Sequence, residues 1–352
     1  MDSLTHSRID SFKSCRRKHW FEYEQKIRKT SEAKALRMGS IWHDCMEYLV
    51  HEGLDAALDH CLLSYAARGD QETELELERE IIYTLIRGYH WRWIENEGSQ
   101  IKRYLCTEQQ FVAPIRNPET GAATPVFELR GKIDGIVELH DGRLAVLERK
   151  LLGDDISNES FLWRRLRIDQ QITVYVLGAR QIGYPIDTVL YEPTRKPTIR
   201  PCQVPQLDDD GIKIVLDQQG ERVRTADGKK WRQTGDSKLG YSLLARPETP
   251  QEFSDRLAAD LQARPDFYFV QREVPRLEVD LDDFAAELWQ IQQAIRESQR
   301  CNRWFRSANR NTCEFCSVFD LCTSGTFEPS RDVPAALPEG FVRVEDIHQE
   351  LV

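Results

Sequence analysis

The chain has 352 residues, 40% hydrophobic and 30% charged, with a formal net charge of −10. That length suits one large domain with insertions, and the acidic balance excludes a nucleic-acid coat protein that is basic throughout. No apolar run is long enough to span a bilayer, and the polar stretch Met1–Ser14 lacks a secretory core, so a cytoplasmic protein is expected.

Ser7-Arg8-Ile9-Asp10 has the form of a capping box and predicts a helix to about Tyr23. A second helix is predicted from about Gly39 to Arg68. Ile41, Met46, Leu49, Leu54, Leu58 and Leu62 fall near helical spacing there, with Gly53 as the point of interruption. A third runs from Gln71 to about Glu97, acidic at its start and aromatic at its end.

The period changes at Ile101. Ile101–Ile115, Val126–Leu139 and Arg143–Leu151 read as strands, with a loop at Asn117–Thr124 and a hairpin turn at Asp141-Gly142. A helix from about Trp163 to Gln181 is closed by Gly183 and followed by Pro185; Thr188–Tyr191 is a short strand. Residues 195–249, rich in Pro, Gly, Asp and Lys, read as a variable insertion in a single domain covering residues 1–327. Helices resume at Pro250–Arg264 and Leu281–Arg300, and residues 328–352 form a tail expected to be partly disordered.

The chemistry-bearing residues lie on the predicted hairpin. Side chains two apart on a strand share a face, so Glu148 and Lys150 point the same way. A carboxylate that holds a divalent cation, beside a lysine that steadies developing charge, suits phosphodiester hydrolysis. Asp134 is the candidate second carboxylate, because Mg²⁺ and Mn²⁺ prefer hard oxygens. A two-residue Asp141-Gly142 loop would set Asp134 against Arg149, on the wrong face. A three-residue loop with Gly142 left-handed sets it against Glu148. His43 and Glu47 share a helix face, as do Gln171 and Tyr175. His43 offers a nitrogen to the same cation, with Glu47 as an auxiliary acid. Gln171 and Tyr175 suit orienting a phosphate, or belong to an ordinary amphipathic helix. Basic runs holding Arg16 and Arg17, and Arg164 and Arg165, are candidate DNA contacts or solvated charge.

In order along the chain, these motifs resemble the PD-(D/E)XK nuclease superfamily in its RecB-type branch. The matching residues are Gly39…His43…Glu47, Gly131-Lys132-Ile133-Asp134, Glu148-Arg149-Lys150 and Gln171…Tyr175. The resemblance implies an α/β, restriction-endonuclease-like core of helix, mixed sheet with central hairpin, helix and strand. It implies His43, Asp134, Glu148 and the Arg149 carbonyl as ligands of Mg²⁺ or Mn²⁺, and Lys150 as catalytic lysine. Glu148 stands where many relatives carry aspartate.

Nine cysteines in a reducing compartment point to metal rather than disulfides. Cys313, Cys316 and Cys322 give C-x2-C-x5-C, and three thiolates need a fourth ligand. Iron–sulfur nucleases similar to this chain, the CRISPR-associated exonucleases and the AddB-like nucleases, take one cysteine before the histidine motif. That resemblance implies Cys15, so that residues 1–30 and 301–325 form a four-cysteine staple around a [4Fe-4S] cluster. Zinc is the competing occupant, and Cys301 a substitute ligand. The expected function is a DNA exonuclease acting on single strands or free ends in recombination, repair or phage DNA processing, with a helicase or recombinase partner. The rivals are a non-catalytic iron–sulfur DNA-binding subunit and an accessory nuclease of CRISPR spacer acquisition.

Overall fold

The computed structural model describes residues 1–68, 73–329, 336–348 and 351. The helix start expected at Gln71 and part of the expected tail lie outside the described residues. Strand β1 (Asp2–Leu4) leads into α1 (His6–Ser14). Thr5, not Ser7, caps this helix, its hydroxyl accepting from Arg8 N at 3.2 Å. The chain turns extended at Cys15 (φ −161°, ψ 115°) and resumes as α2 (Arg16–His19) and a π-turn at Trp20–Glu24. The helix expected to run to Tyr23 is therefore interrupted at the cysteine.

Strand β2 (Ile27–Lys29) follows. The second expected helix divides at Gly53, whose φ of 95° suits glycine, into α3 (Lys34–His51) and α4 (Leu54–Ala66). Helix α5 (Thr73–His90) ends in a π-turn at Trp91–Glu95.

The sheet is built on β3 (Ile101–Arg116), β4 (Ala123–Leu139) and β5 (Leu144–Leu152). Strand β4 pairs with β3 along one edge. On its other edge it pairs antiparallel with β5 at Gly135–Glu138 and parallel with β1 at Phe127–Leu129. The expected helix Trp163–Gln181 is two helices, α6 (Phe161–Leu166) and α7 (Gln170–Gln181). Asp169 separates them by capping α7, accepting from Gln171 N at 2.9 Å. They lead to β6 (Thr188–Arg195), parallel to β5.

The insertion is a set of small ladders: β7 (Gln203–Pro205), β8 (Val215–Leu216), β9 (Ser242–Leu243) and β10 (Ala245–Pro247), with β7 paired to β10 and β8 to β9. Then come α8 (Pro250–Ala263), α9 (Pro265–Tyr268), β11 (Arg272–Pro275) and α10 (Glu278–Cys301). Short helices α11 (Arg310–Glu314) and α12 (Phe319–Thr323) precede β12 (Phe341–Arg343), which pairs with β2. The main sheet has the order β1-β4-β5-β6-β11, with β3 on β4.

One apolar core joins the sheet to α1, α7 and α10, and a second joins α3, α4, α5 and α8. Gly131 and Gly178 share a task in the first. A Cβ on either would stand 2.4–2.5 Å from the Phe111 ring, so both glycines let α7 close onto the sheet over that ring. Among the described residues, no helix is long and apolar enough to cross a membrane.

Candidate active site

The β4–β5 turn decides whether Asp134 and Glu148 share a face. Leu139 N donates to Arg143 O at 2.8 Å, which closes a three-residue loop, and Gly142 takes φ 87°. Gly135 is then paired with Leu147, so Asp134 stands opposite Glu148, as the chemistry requires.

Glu148 is 0% exposed, and neither carboxylate oxygen accepts a well-directed hydrogen bond, although Lys150 Nζ lies 2.6 Å from Oε1. Asp134 Oδ2 accepts from Arg149 N at 2.9 Å and lies 3.5 Å from His43 Nδ1. Buried carboxylate oxygens without donors are what a hard divalent cation uses, and a neutral imidazole completes such a set. His43, Asp134 and Glu148 therefore fit a cation chemically. Among the described residues, no three His, Cys, Asp or Glu side chains are already drawn into a cage.

Electrostatics agree with that reading. Burial holds the Glu148 carboxyl well above the usual carboxylate range; the Lys150 ammonium opposes the shift and Asp134 adds to it. Burial would lower Lys150, yet the Glu148 and Asp134 carboxylates keep it above its ordinary value. Burial lowers His43 against the pull of Asp134, leaving the ring neutral near neutral pH. A carboxyl raised in this way binds more protons folded than unfolded. Metal-free stability must then fall as pH rises from the ordinary carboxylate range toward the raised folded value. Glu148→Gln should remove that fall. Melting curves in EDTA between about pH 5 and 8 should diverge, the variant gaining about 2 °C or more at neutral pH. Parallel curves would contradict the burial argument.

The cleft in front of these groups has a volume of about 590 Å³ and is lined by Gly39, His43, Glu47, Asp134, Lys150 and Tyr175, among others. Gln171 Nε2 donates to Tyr175 OH at 2.7 Å, so the expected pair forms one unit at the cleft. A Cβ on Gly39 would meet nothing within 4 Å, so this glycine widens the cleft and serves no packing contact.

Two acids escaped the sequence reading. Glu108 lines the cleft beside Lys132, with 2.8 Å between Oε2 and Nζ, and burial raises its carboxyl. Its backbone is left-handed, φ 49°, at the point of β3 facing Asp134. Glu192 lies on the far side of β5. Its Oε2 accepts from Arg149 Nε at 3.0 Å and from Tyr89 OH at 2.7 Å, and Gln271 donates to its other oxygen. The Arg149 side chain is thereby pinned behind the strand while its backbone N–H holds Asp134 in front.

The basic candidates separate. Arg17 is buried, donating to Trp304 O at 2.9 Å and Glu328 Oε2 at 2.8 Å. Arg16 lies over the Phe12 and Phe305 rings, and Arg164 and Arg165 are exposed on α6. None of the four cysteines expected to form the staple is in a disulfide. Cys15, at the α1–α2 break, accepts from Ser307 N at 3.4 Å, and the neighbouring Arg306 Nε reaches Cys322 Sγ at 3.2 Å. Burial raises the Cys316 thiol, and the Cys316 N–H bonds to Cys313 O at 3.3 Å. Cys301 instead contacts Glu297 at the end of α10.

The family model described as the PD-(D/E)XK nuclease superfamily matches residues 3–323. No curated protein matches the chain. The mixed sheet with flanking helices accords with the restriction-endonuclease-like fold.

Proposed function

The chain belongs to the PD-(D/E)XK nuclease superfamily, a family of metal-dependent nucleases, and on that premise we propose that it hydrolyses DNA phosphodiesters as an exonuclease. One observation carries the reading: fully buried Glu148 faces Asp134 across the hairpin, with Lys150 on the same face and His43 against Asp134.

A bound Mg²⁺ or Mn²⁺ supplies Lewis acidity and lowers the pKa of water. His43, Asp134 and Glu148 would hold it, with the Arg149 carbonyl as the further oxygen that the family resemblance implies. Lys150 places its ammonium beside the attacked phosphate and offsets the charge that grows there. Gln171 and Tyr175 orient the phosphate. The order of the motifs favours the RecB-type branch, and with it work in recombination, repair or phage DNA processing beside a helicase or recombinase. Intact Asp134, Glu148 and Lys150 weigh against the non-catalytic subunit. The direct test is incubation of end-labelled single- and double-stranded DNA with the protein, with and without Mn²⁺. Mn²⁺-dependent shortening from an end is expected; binding without cleavage would favour the non-catalytic subunit.

We assign Cys15, Cys313, Cys316 and Cys322 to a [4Fe-4S] cluster. The meeting of Cys15 with Ser307, and of Cys322 with Arg306, supports this by bringing both ends of the chain to one place. Protein purified without oxygen should be brown, with broad absorption at about 400 nm. A colourless preparation with stoichiometric zinc would reassign the site to zinc.

A further inference from the structure

Helix α6 packs on the sheet with one face and leaves the other bare. Leu162, Trp163 and Leu166 are buried, and Trp163 meets the Tyr191 ring at 6.0 Å between centroids. Tyr191 is the β6 partner of Glu148, so α6 stands one strand from the cleft. The bare face carries Phe161, 71% exposed, then Arg164 and Arg165, then Ile168, 84% exposed. Phe161, Arg164 and Arg165 are i, i+3 and i+4 on one side of the helix, and Ile168 follows in the turn after it. The turn reaches Ile168 through its N–H to Arg165 O at 3.0 Å.

A single exposed apolar side chain is ordinary and needs no account. Two of them bracketing a pair of arginines, beside a nuclease cleft, are a different matter. Among the described residues, neither Arg164 nor Arg165 forms an ion pair, in a protein of net charge −10. Unpaired bases stack on aromatic faces while arginines follow the phosphates. A duplex keeps its bases inside and would leave Phe161 in water.

We infer that this face of α6 binds an unpaired DNA strand entering the cleft, a base stacking on Phe161, Ile168 extending the apolar seat, and phosphates meeting Arg164 and Arg165. The inference rests on the nuclease reading and gives the unpaired strand a seat on α6, with Phe161 and Ile168 as its apolar contacts.

The test is fluorescence anisotropy in EDTA with labelled oligothymidylate of about 15 nucleotides and a blunt duplex of equal length. Phe161→Ala should weaken oligothymidylate binding about tenfold and leave the duplex within about twofold. Phe161→Trp should retain binding, and Phe161→Leu should not, because stacking needs a ring. Replacing Arg164 and Arg165 together by Ala should flatten the salt dependence for the single strand by about 1.4 in the logarithmic slope. Phe161 is solvent-facing, so the melting temperatures of all three Phe161 variants should match the parent. Equal loss on both DNAs, unchanged binding, or binding restored by Phe161→Leu would overturn the proposal; unchanged DNA binding would leave the face to a protein partner. Cleavage of bis(4-nitrophenyl) phosphate with Mn²⁺ keeps the two readings apart, since this ester carries no base to stack. If the parent fails to cleave it or DNA, the nuclease reading falls while the anisotropy series still decides this one.

Discussion

Asp134→Ala, Glu148→Ala and Lys150→Ala should each reduce DNA cleavage by at least about 100-fold, and the triple variant should be little worse than the most damaged single. The reason is geometric. Asp134 and Glu148 face each other across the hairpin, and the Lys150 ammonium lies 2.6 Å from Glu148 Oε1, so the three act as one unit. Removing one member disables the rest, and their losses cannot add. Lys150→Arg should rescue little, because a planar guanidinium does not replace a compact ammonium in a buried ion contact. Single-turnover cleavage of labelled DNA at saturating Mn²⁺ measures all of these. Full activity in Lys150→Ala would remove that residue from the mechanism.

Cys322→Ser should lower the melting temperature by about 5 °C or more, whereas Asp134→Ala should leave it unchanged or raise it. A cluster bound only by the folded chain adds its binding free energy to stability. Most of the chain separates Cys15 from Cys322, so the proposed staple would close most of it. Losing it also frees the segment that holds Arg16, which is seated against Phe305, and protease sensitivity should rise. Asp134 is the opposite case. Its loss relieves repulsion between carboxylates in the metal-free cleft. Thermal melts of the two variants beside the parent, read at 280 nm-type aromatic absorbance or by circular dichroism, decide it. Equal melting of Cys322→Ser and parent would show that the staple is not structural.

The β4–β5 hairpin was legible because strand alternation and one glycine determine its register. Asp134 had to face Glu148 for the chemistry to work, and Gly142 at positive φ is the turn that does it. Helix ends were less legible. Ser7 and Thr5 are both good caps, and the capping-box pattern favoured the wrong one. The extended backbone at Cys15 has no local signal, since neither glycine nor proline marks it. Strand β6 was expected to cover only the apolar run Thr188–Tyr191. It runs on to Arg195 because Arg149, Tyr89 and Gln271 satisfy that carboxylate inside the protein. Glu108 reaches the cleft from a strand distant in sequence, a placement that only the β3–β4 pairing reveals.

The most direct measurement is anomalous diffraction from crystals soaked in Mn²⁺. A single strong peak within coordination distance of Asp134, Glu148 and the His43 ring is predicted, and it should vanish in Glu148→Gln crystals. A peak elsewhere, or none in the cleft at saturating Mn²⁺, would contradict the assignment of these residues to a nuclease metal site.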